Sequence, residues 1–274
     1  MTFLKKLFDF YLNASIHVAL AVFSFVKITE LYYGLEHNGN LNYFIFFATI
    51  TGYNFVKYFG IAKFHHRSLT NDLKIIQVFS FLCFLLMCFY GFQLSIKTIF
   101  LLAGFGLLTI LYAIPFLSGF QKNLRNISYL KIVVVALVWT GVTVLIPVFD
   151  SFDIVDYQKI TFLFLQRFLL VCALILPFDI RDIKYDVISL QTIPRKIGIQ
   201  STKKLGFVLL LFALVIEFLI SSDEISKNIF LVFSLVIMFF LMRAKENQSK
   251  YYSSFWVESI PLVWWLFLFG ILNF

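Results

Sequence analysis

Leu176-Pro177-Phe178-Asp179-Ile180-Arg181-Asp182-Ile183-Lys184-Tyr185-Asp186, running on to Thr192-Ile193-Pro194-Arg195-Lys196-Ile197-Gly198, closes one long apolar run of the chain and precedes another. Asp179, Asp182 and Asp186 stand at positions i, i+3 and i+7, so on a helix of 3.6 residues per turn they share a narrow arc of one face. Pro177 sits where a first-turn proline is tolerated, which predicts a helix opening near Phe178, and Pro194 marks the end of the segment. Arg181, Lys184, Arg195 and Lys196 surround the acids with positive charge. A row of hard oxygen donors among cations suits Mg²⁺ holding a diphosphate, because Mg²⁺ is usually bound by one or two carboxylates together with phosphate oxygens. The competing reading is a solvated, charged loop between membrane spans.

The surrounding composition makes that charge conspicuous. Apolar residues form 61% of the 274 and charged residues 14%, against roughly 45–50% and 25% in a soluble domain. Such a chain is an integral membrane protein. Its 37 phenylalanines predict aromatic walls for any cavity between helices. The formal charge of +8 does not call for nucleic acid, since positively charged cytoplasmic loops produce it too. Cys83, Cys88 and Cys172 fall inside apolar runs without metal or disulfide spacing and read as small core residues. Lys5 and Lys6 precede a long apolar stretch with no small-residue cleavage site after it, which reads as a first span and not a removable signal.

A helix needs about 20 apolar residues to cross the hydrocarbon. Nine stretches qualify, at 13–34, 41–60, 74–92, 97–117, 131–149, 159–178, 204–221, 228–243 and 255–273. The expected fold is an all-α polytopic membrane bundle around a central cavity, in one domain spanning 1–274. Placing the amino terminus in the cytoplasm puts 18 of the 23 Lys and Arg residues on that side or its helix ends, as the positive-inside rule requires. With an odd number of spans the carboxyl terminus lies outside. The loops after spans two, four and six then face the same compartment and can meet over one cavity.

Two further constellations sit near those loops. After span four come Tyr112 and Pro115, then Lys122, Arg125, Tyr129 and Lys131, whose cations can pair with phosphate oxygens or simply enforce topology. The loop after span two contains Asn54 and Lys57, then Lys63, His65, His66 and Arg67. Adjacent histidines point about 100° apart on a helix, so His65 and His66 read as interface or phosphate-contacting residues more than as a metal pair. Among ionisable residues within the spans, Lys27 and Glu30 stand at i and i+3 and are expected to pair. Arg167, Glu217 and Glu258 lie towards span ends, where snorkelling lowers their cost, and are left out of the expected site. His17 and His37 read as structural, and the tryptophans as belt or packing residues.

Taken together, the nine spans, the row Asp179-x-x-Asp182-x-x-x-Asp186 followed by Thr192-Ile193-Pro194, and the Tyr112, Pro115, Lys122, Lys131 series resemble the UbiA-type intramembrane prenyltransferase superfamily over nearly the whole chain. The resemblance implies a helical bundle that joins a prenyl chain, supplied as a diphosphate, to an acceptor, using Mg²⁺ held between two aspartate-rich motifs. The first motif normally reads as Asn followed by aspartates one, four and eight positions later. Here Asn54 is followed at those positions by Phe55, Tyr58 and Ala62.

The resemblance therefore implies a divergent prenyltransferase-like protein of a bacterial-type inner membrane. Asp179, Asp182 and Asp186 would be its Mg²⁺-holding catalytic acids. Lys122, Arg125, Lys131 and Arg181 would hold the diphosphate, with Asn54 and Tyr112 shaping the pocket. Lys57, His65, His66 and Arg67 are the candidates to compensate for the missing acids. The alternative is a non-catalytic member of the same fold that binds a prenyl lipid or a partner. Acceptor and chain length depend on cavity shape, which these motifs do not encode.

Overall fold

Within hydrocarbon a chain must satisfy its own backbone hydrogen bonds, and a helix does so within one segment. The apolar runs accordingly become helices. The computed structural model describes residues 3–64, 71–114, 130–151, 156–184, 192–221 and 223–272, and no strand occurs among them. The helices are α1 (Phe3–Asn13), α2 (Ile16–Tyr33), α3 (Gly39–Phe64), α4 (Asn71–Gly91), α5 (Ile96–Ala113), α6 (Leu130–Thr140), α7 (Ile146–Ser151), α8 (Tyr157–Asp182), α9 (Ile193–Ile197), α10 (Ile199–Ile220), α11 (Glu224–Arg243) and α12 (Ile260–Leu272). Single π-helical turns at Gly141–Leu145 and Tyr252–Val257 join α6 to α7 and lead into α12. Seven segments have the length and hydropathy to cross a membrane. With α3, of 26 residues, and α10, of 22, every stretch expected to span falls on a helix.

Side chains that can substitute for the missing intrahelical partners set several boundaries. Asp156 accepts from the Gln158 and Lys159 amides, both at 3.1 Å, and Asp223 accepts from the Ile225 amide at 2.8 Å. Both are N-caps. Gly34, at φ 63°, terminates α2. Ser15 also adopts the left-handed conformation, at φ 63°, where α1 turns into α2. A non-glycine residue there needs its surroundings to hold it. Ser15 Oγ donates to Asn54 Oδ1 at 2.8 Å, Asn54 Nδ2 donates to Ala14 O at 3.1 Å, and Lys57 Nζ donates to Ser15 Oγ at 2.9 Å.

The amphipathic α1 is fastened at the same end of the bundle. Lys250 Nζ lies 2.6 Å from Asp9 Oδ1, Tyr251 donates to that oxygen at 2.8 Å, and the Lys250 hydrogen bond holds the Asp9 carboxyl below the usual carboxylate range. His17 is structural, as expected. Its Nδ1 meets Tyr11 Oη at 2.6 Å and its Nε2 lies 3.0 Å from Phe255 O, so one ring ties α1 and α2 to the second π turn.

The structure corrects three expectations. Pro177 opens no new helix, because α8 runs through it to Asp182. Proline removes the N–H that the Ala173 carbonyl would have accepted, but Leu176 and Ile180 on either side are buried, and that burial keeps the chain helical. Asn54 and Lys57 belong to α3, which continues to Phe64, and not to a loop. Arg167 and Glu217 do not snorkel. Both are fully buried: Arg167 lies 4.4 Å from the Phe25 ring centroid and donates to Phe25 O at 3.1 Å, while Glu217 accepts from Tyr32 at 2.8 Å and from Gln166. Of the two roles expected for the tryptophans, Trp264 takes packing: it is a core residue enclosed by Phe25, Phe230 and Phe233. The expected Lys27–Glu30 pair is present, and Asn42 donates to the same carboxylate at 2.6 Å.

The most extensive helix pair is α8 with α10, and Gly206 allows its close approach. A Cβ at Gly206 would lie 2.2 Å from Leu241 Cδ2 and 2.8 Å from Leu176 Cδ1, both on buried side chains. Gly206→Ala is expected to destabilise the protein by about 1–3 kcal/mol through overpacking, read as a lower midpoint of thermal unfolding in detergent.

Candidate functional site

The last turn of α8 carries Asp179 and Asp182 on one face, and α6 starts with Lys131 opposite them. Lys131 Nζ donates to Asp179 Oδ1 at 2.8 Å and lies 3.9 Å from Asp182 Oδ2. Arg181 Nε donates to the other Asp182 oxygen at 2.8 Å, and its guanidinium carbon lies 5.4 Å from the Phe178 ring centroid. Asp179 is 1% exposed, whereas Asp182 and Arg181 are partly open. One acid is thus enclosed and the other accessible. Beyond α8 the chain folds back. Thr192 precedes α9, Pro194 occupies its first turn, and Arg195 reaches Ile183 O with Nε at 3.2 Å and Nη2 at 2.6 Å. A cation on the terminal carbonyls of a helix stabilises its C-terminus, so the Thr-Ile-Pro-Arg segment steadies the turn that bears the acids.

The second wall comes from α3. Asn54 is buried and its amide is engaged with Ser15 and Ala14, so it supports the α1–α2 junction while Lys57, exposed and bonded to Ser15, presents its ammonium. Tyr58, where the motif has an acid, donates to Asn13 O at 2.9 Å. One helical turn deeper, Tyr53 Oη accepts from Trp139 Nε1 at 2.6 Å, which fixes two aromatic rings between α3 and α6. Tyr112, near the end of α5, is buried and interacts electrostatically with both Lys131 and Tyr53. The ends of α3, α5 and α8 and the start of α6 therefore converge, as expected for spans two, four and six.

One residue was set aside in the sequence and belongs here. Glu258 follows the π turn Tyr252–Val257, and Lys57 and Arg181 both act on its charge, with Tyr53 and Tyr11 as further electrostatic neighbours. Its charge is felt on both the α3 and the α8 walls. The signal that could have found it is general: an ionisable residue in an apolar span is a functional candidate by default, and π turns recur at functional sites. Asp186, Lys122, Arg125, His65, His66 and Arg67 lie outside the described residues.

The donor set can be tested against Mg²⁺. No three His, Cys, Asp or Glu residues among the described ones converge to hold a metal by themselves. Mg²⁺ does not require that, since one or two carboxylates with phosphate oxygens suffice. Asp179 and Asp182 supply two carboxylates a turn apart, and the Lys131 ammonium already bridges them as a cation. They fit one ion shared with a diphosphate. On α3, Phe55, Lys57 and Tyr58 offer no carboxylate for a second.

No protein-family model matches the chain, and no curated protein sequence is detectably similar to it. Solved structures do match in shape. A UbiA homologue from Archaeoglobus fulgidus bound to GPP and Mg²⁺ superposes with a TM-score of 0.63 at 12% identity, covering 97% of this chain and 100% of that one. The apo structure of a UbiA homologue from Aeropyrum pernix K1 gives 0.64 at 12% identity over 94% and 98%. A digeranylgeranylglyceryl phosphate synthase gives 0.56 at 13% identity over 96% and 98%. Agreement over essentially whole chains, with so little identity, is agreement of architecture: this membrane protein has the UbiA-type fold.

Proposed function

We propose that the chain is a divergent intramembrane prenyltransferase that moves a prenyl group from a prenyl diphosphate to an acceptor. The observation that carries this reading is the cluster of Lys131, Asp179, Arg181 and Asp182. It stands at one end of a bundle whose fold neighbours include homologues bound to GPP or DMAPP with Mg²⁺. In this reading that end faces the cytoplasm of a bacterial-type cell, with the amino terminus inside and the carboxyl terminus outside. The Lys and Arg asymmetry supports that orientation.

The residues divide the work by chemistry. Arg181 offers a planar fork and Lys131 and Lys57 offer point charges to the diphosphate oxygens, joined from the loops by Lys122 and Arg125. Asp179 and Asp182, with Asp186, would hold one Mg²⁺, which would neutralise charge on the leaving group. The bond from the allylic carbon to the diphosphate breaks with its electron pair on oxygen, and the acceptor forms the new bond to that carbon as it gives up a proton. Tyr53 and Trp139, locked by their hydrogen bond, present ring faces that favour the developing cation. Lys57, with His65, His66 and Arg67, supplies positive charge where the first acidic motif is absent.

A second reading is favoured by that absence. With Phe55, Lys57 and Tyr58 on α3, the cavity would bind a lipid diphosphate without ionising it. Purified protein, Mg²⁺ and a panel of prenyl diphosphates and acceptors separate the two. The enzyme reading expects pyrophosphate release that Asp182→Ala abolishes. Thermal stabilisation by the same compounds with no release, persisting in Asp182→Ala, establishes the binder.

Two electrostatic predictions hold under either reading. Lys131→Met removes the ammonium of a buried pair and should destabilise the protein by about 3 kcal/mol. Lys131→Met with Asp179→Asn should recover most of that, read by thermal unfolding at neutral pH. Glu258 opposes an incoming anion, so Glu258→Gln should tighten inorganic pyrophosphate binding about fivefold, roughly 1 kcal/mol, measured by calorimetry. Weaker binding in that variant would place Glu258 elsewhere.

A further inference from the structure

A second cationic site lies behind α8, apart from the cluster above. Met242, Arg243, Lys245, Gln248, Ser249 and Tyr252 line a cavity of about 370 Å³ where α11 ends and the chain turns towards the π segment. No carboxylate is among its lining residues. Exposed Glu246 lies beside Lys245 in sequence but does not line it. Neither the Arg243 nor the Lys245 side chain has a hydrogen bond or ion pair among the described residues, and the Arg243 guanidinium carbon rests 5.4 Å from the Phe239 ring centroid.

A helix C-terminus ordinarily repels anions, because its last carbonyls carry partial negative charge. Here Lys203, buried at the start of α10, donates from Nζ to Met242 O at 2.7 Å, covering one of those carbonyls with an ammonium. Lys203 also stands close enough to Lys245 for their like charges to oppose each other. A bound anion would relieve that repulsion. Three cations thus gather around one cavity at the end of a membrane-crossing helix.

The cavity continues into an apolar strip. Leu235, Phe239 and Met242 stand at i, i+4 and i+7 on α11, hence on one face, and each is at least half exposed. Such a strip faces acyl chains, and its last member lines the cavity. We propose that this is a binding site for an anionic phospholipid, with the phosphate between Arg243 and Lys245 and one acyl chain along Met242, Phe239 and Leu235. Basic pockets at the membrane surface between spanning helices suit such headgroups. The site reaches the catalytic candidate through one residue: Gln248 lines the cavity and donates from Nε2 to Pro177 O at 3.2 Å, on the helix that carries Asp179 and Asp182.

Delipidated full-length protein in detergent tests this with three probes: phosphatidylglycerol, phosphatidylcholine of the same chain length, and inorganic phosphate. Phosphatidylglycerol should raise the unfolding midpoint and appear as a discrete adduct by native mass spectrometry, with phosphatidylcholine giving neither. Arg243→Gln with Lys245→Gln should remove about half of the shift or more, while Lys5→Gln with Lys6→Gln, an equal loss of charge, should leave it. The single variants serve the same comparison if the double variant does not fold. Equal stabilisation by both lipids, or a phosphatidylglycerol shift that survives in the Arg243 and Lys245 variants, overturns the proposal. Inorganic phosphate reproducing the full shift would make the site one for a free oxyanion and overturn the lipid assignment.

Discussion

The Lys131 ammonium between Asp179 and Asp182 is the constraint on which the site depends. A carboxylate as enclosed as Asp179 is costly unless a counter-charge and hydrogen bonds accompany it. Lys131 supplies both at 2.8 Å, and in doing so it ties the first turn of α6 to the last turn of α8. The α8 turn is fixed again from behind by Arg195 on Ile183 O and from the side by the Gln248 contact with Pro177 O. The acids are therefore held by three separate parts of the chain, which under the proposed reading is the preorganisation that electrostatic work on a leaving group needs.

The same rule of local compensation governs the rest of the bundle. Towards the opposite end, Glu30 is balanced by Lys27 with Asn42, and Asp150 accepts from Asn38 at 2.8 Å and from Thr98. Glu217 takes Tyr32 and Gln166, and Arg167 takes a carbonyl and two aromatic faces, although Arg167 Nε and Nη2 and Gln166 Oε1 have no hydrogen-bond partner among the described residues. These groups are engaged within the protein, and the apolar helix surfaces around them are left to face lipid. The group containing Lys57, Arg181 and Glu258 differs in kind, for its charges influence one another with no ion pair among the three in the described residues.

Much of this was legible in the residues. Apolar runs located the spanning helices, because length and hydropathy are properties of a segment taken alone. The i, i+3 relation of Asp179 and Asp182 and the pairing of Lys27 with Glu30 also survived, since both depend only on helical spacing. Pro177 misled, because whether a helix runs through a proline is decided by what the flanking residues bury, and Leu176 and Ile180 bury themselves in the core. Asn54 looked like a pocket residue, but its amide braces the strained Ser15, a contact 39 residues away in sequence. Glu258 was passed over for an equivalent reason: its neighbours Lys57 and Arg181 come from α3 and α8, and no local pattern announces them.

The basic character of α3 changes how the cavity would meet a diphosphate. Aspartates at that wall repel the ligand until metal ions invert their charge, so affinity there follows the supply of metal. A lysine attracts the ligand directly, without an intervening metal ion. It is also a point charge on a flexible stem and cannot impose the octahedral geometry that Mg²⁺ imposes on its oxygens. Substituting Lys57 for an acidic wall therefore retains attraction for the ligand and surrenders some control over its orientation. That control then falls to the α8 wall, where Arg181 has a rigid fork and Asp179 and Asp182 are fixed by Lys131. In the proposed reading, the orienting elements of the site are gathered on the α8 side, while the α3 side supplies attraction and the aromatic ring of Tyr53.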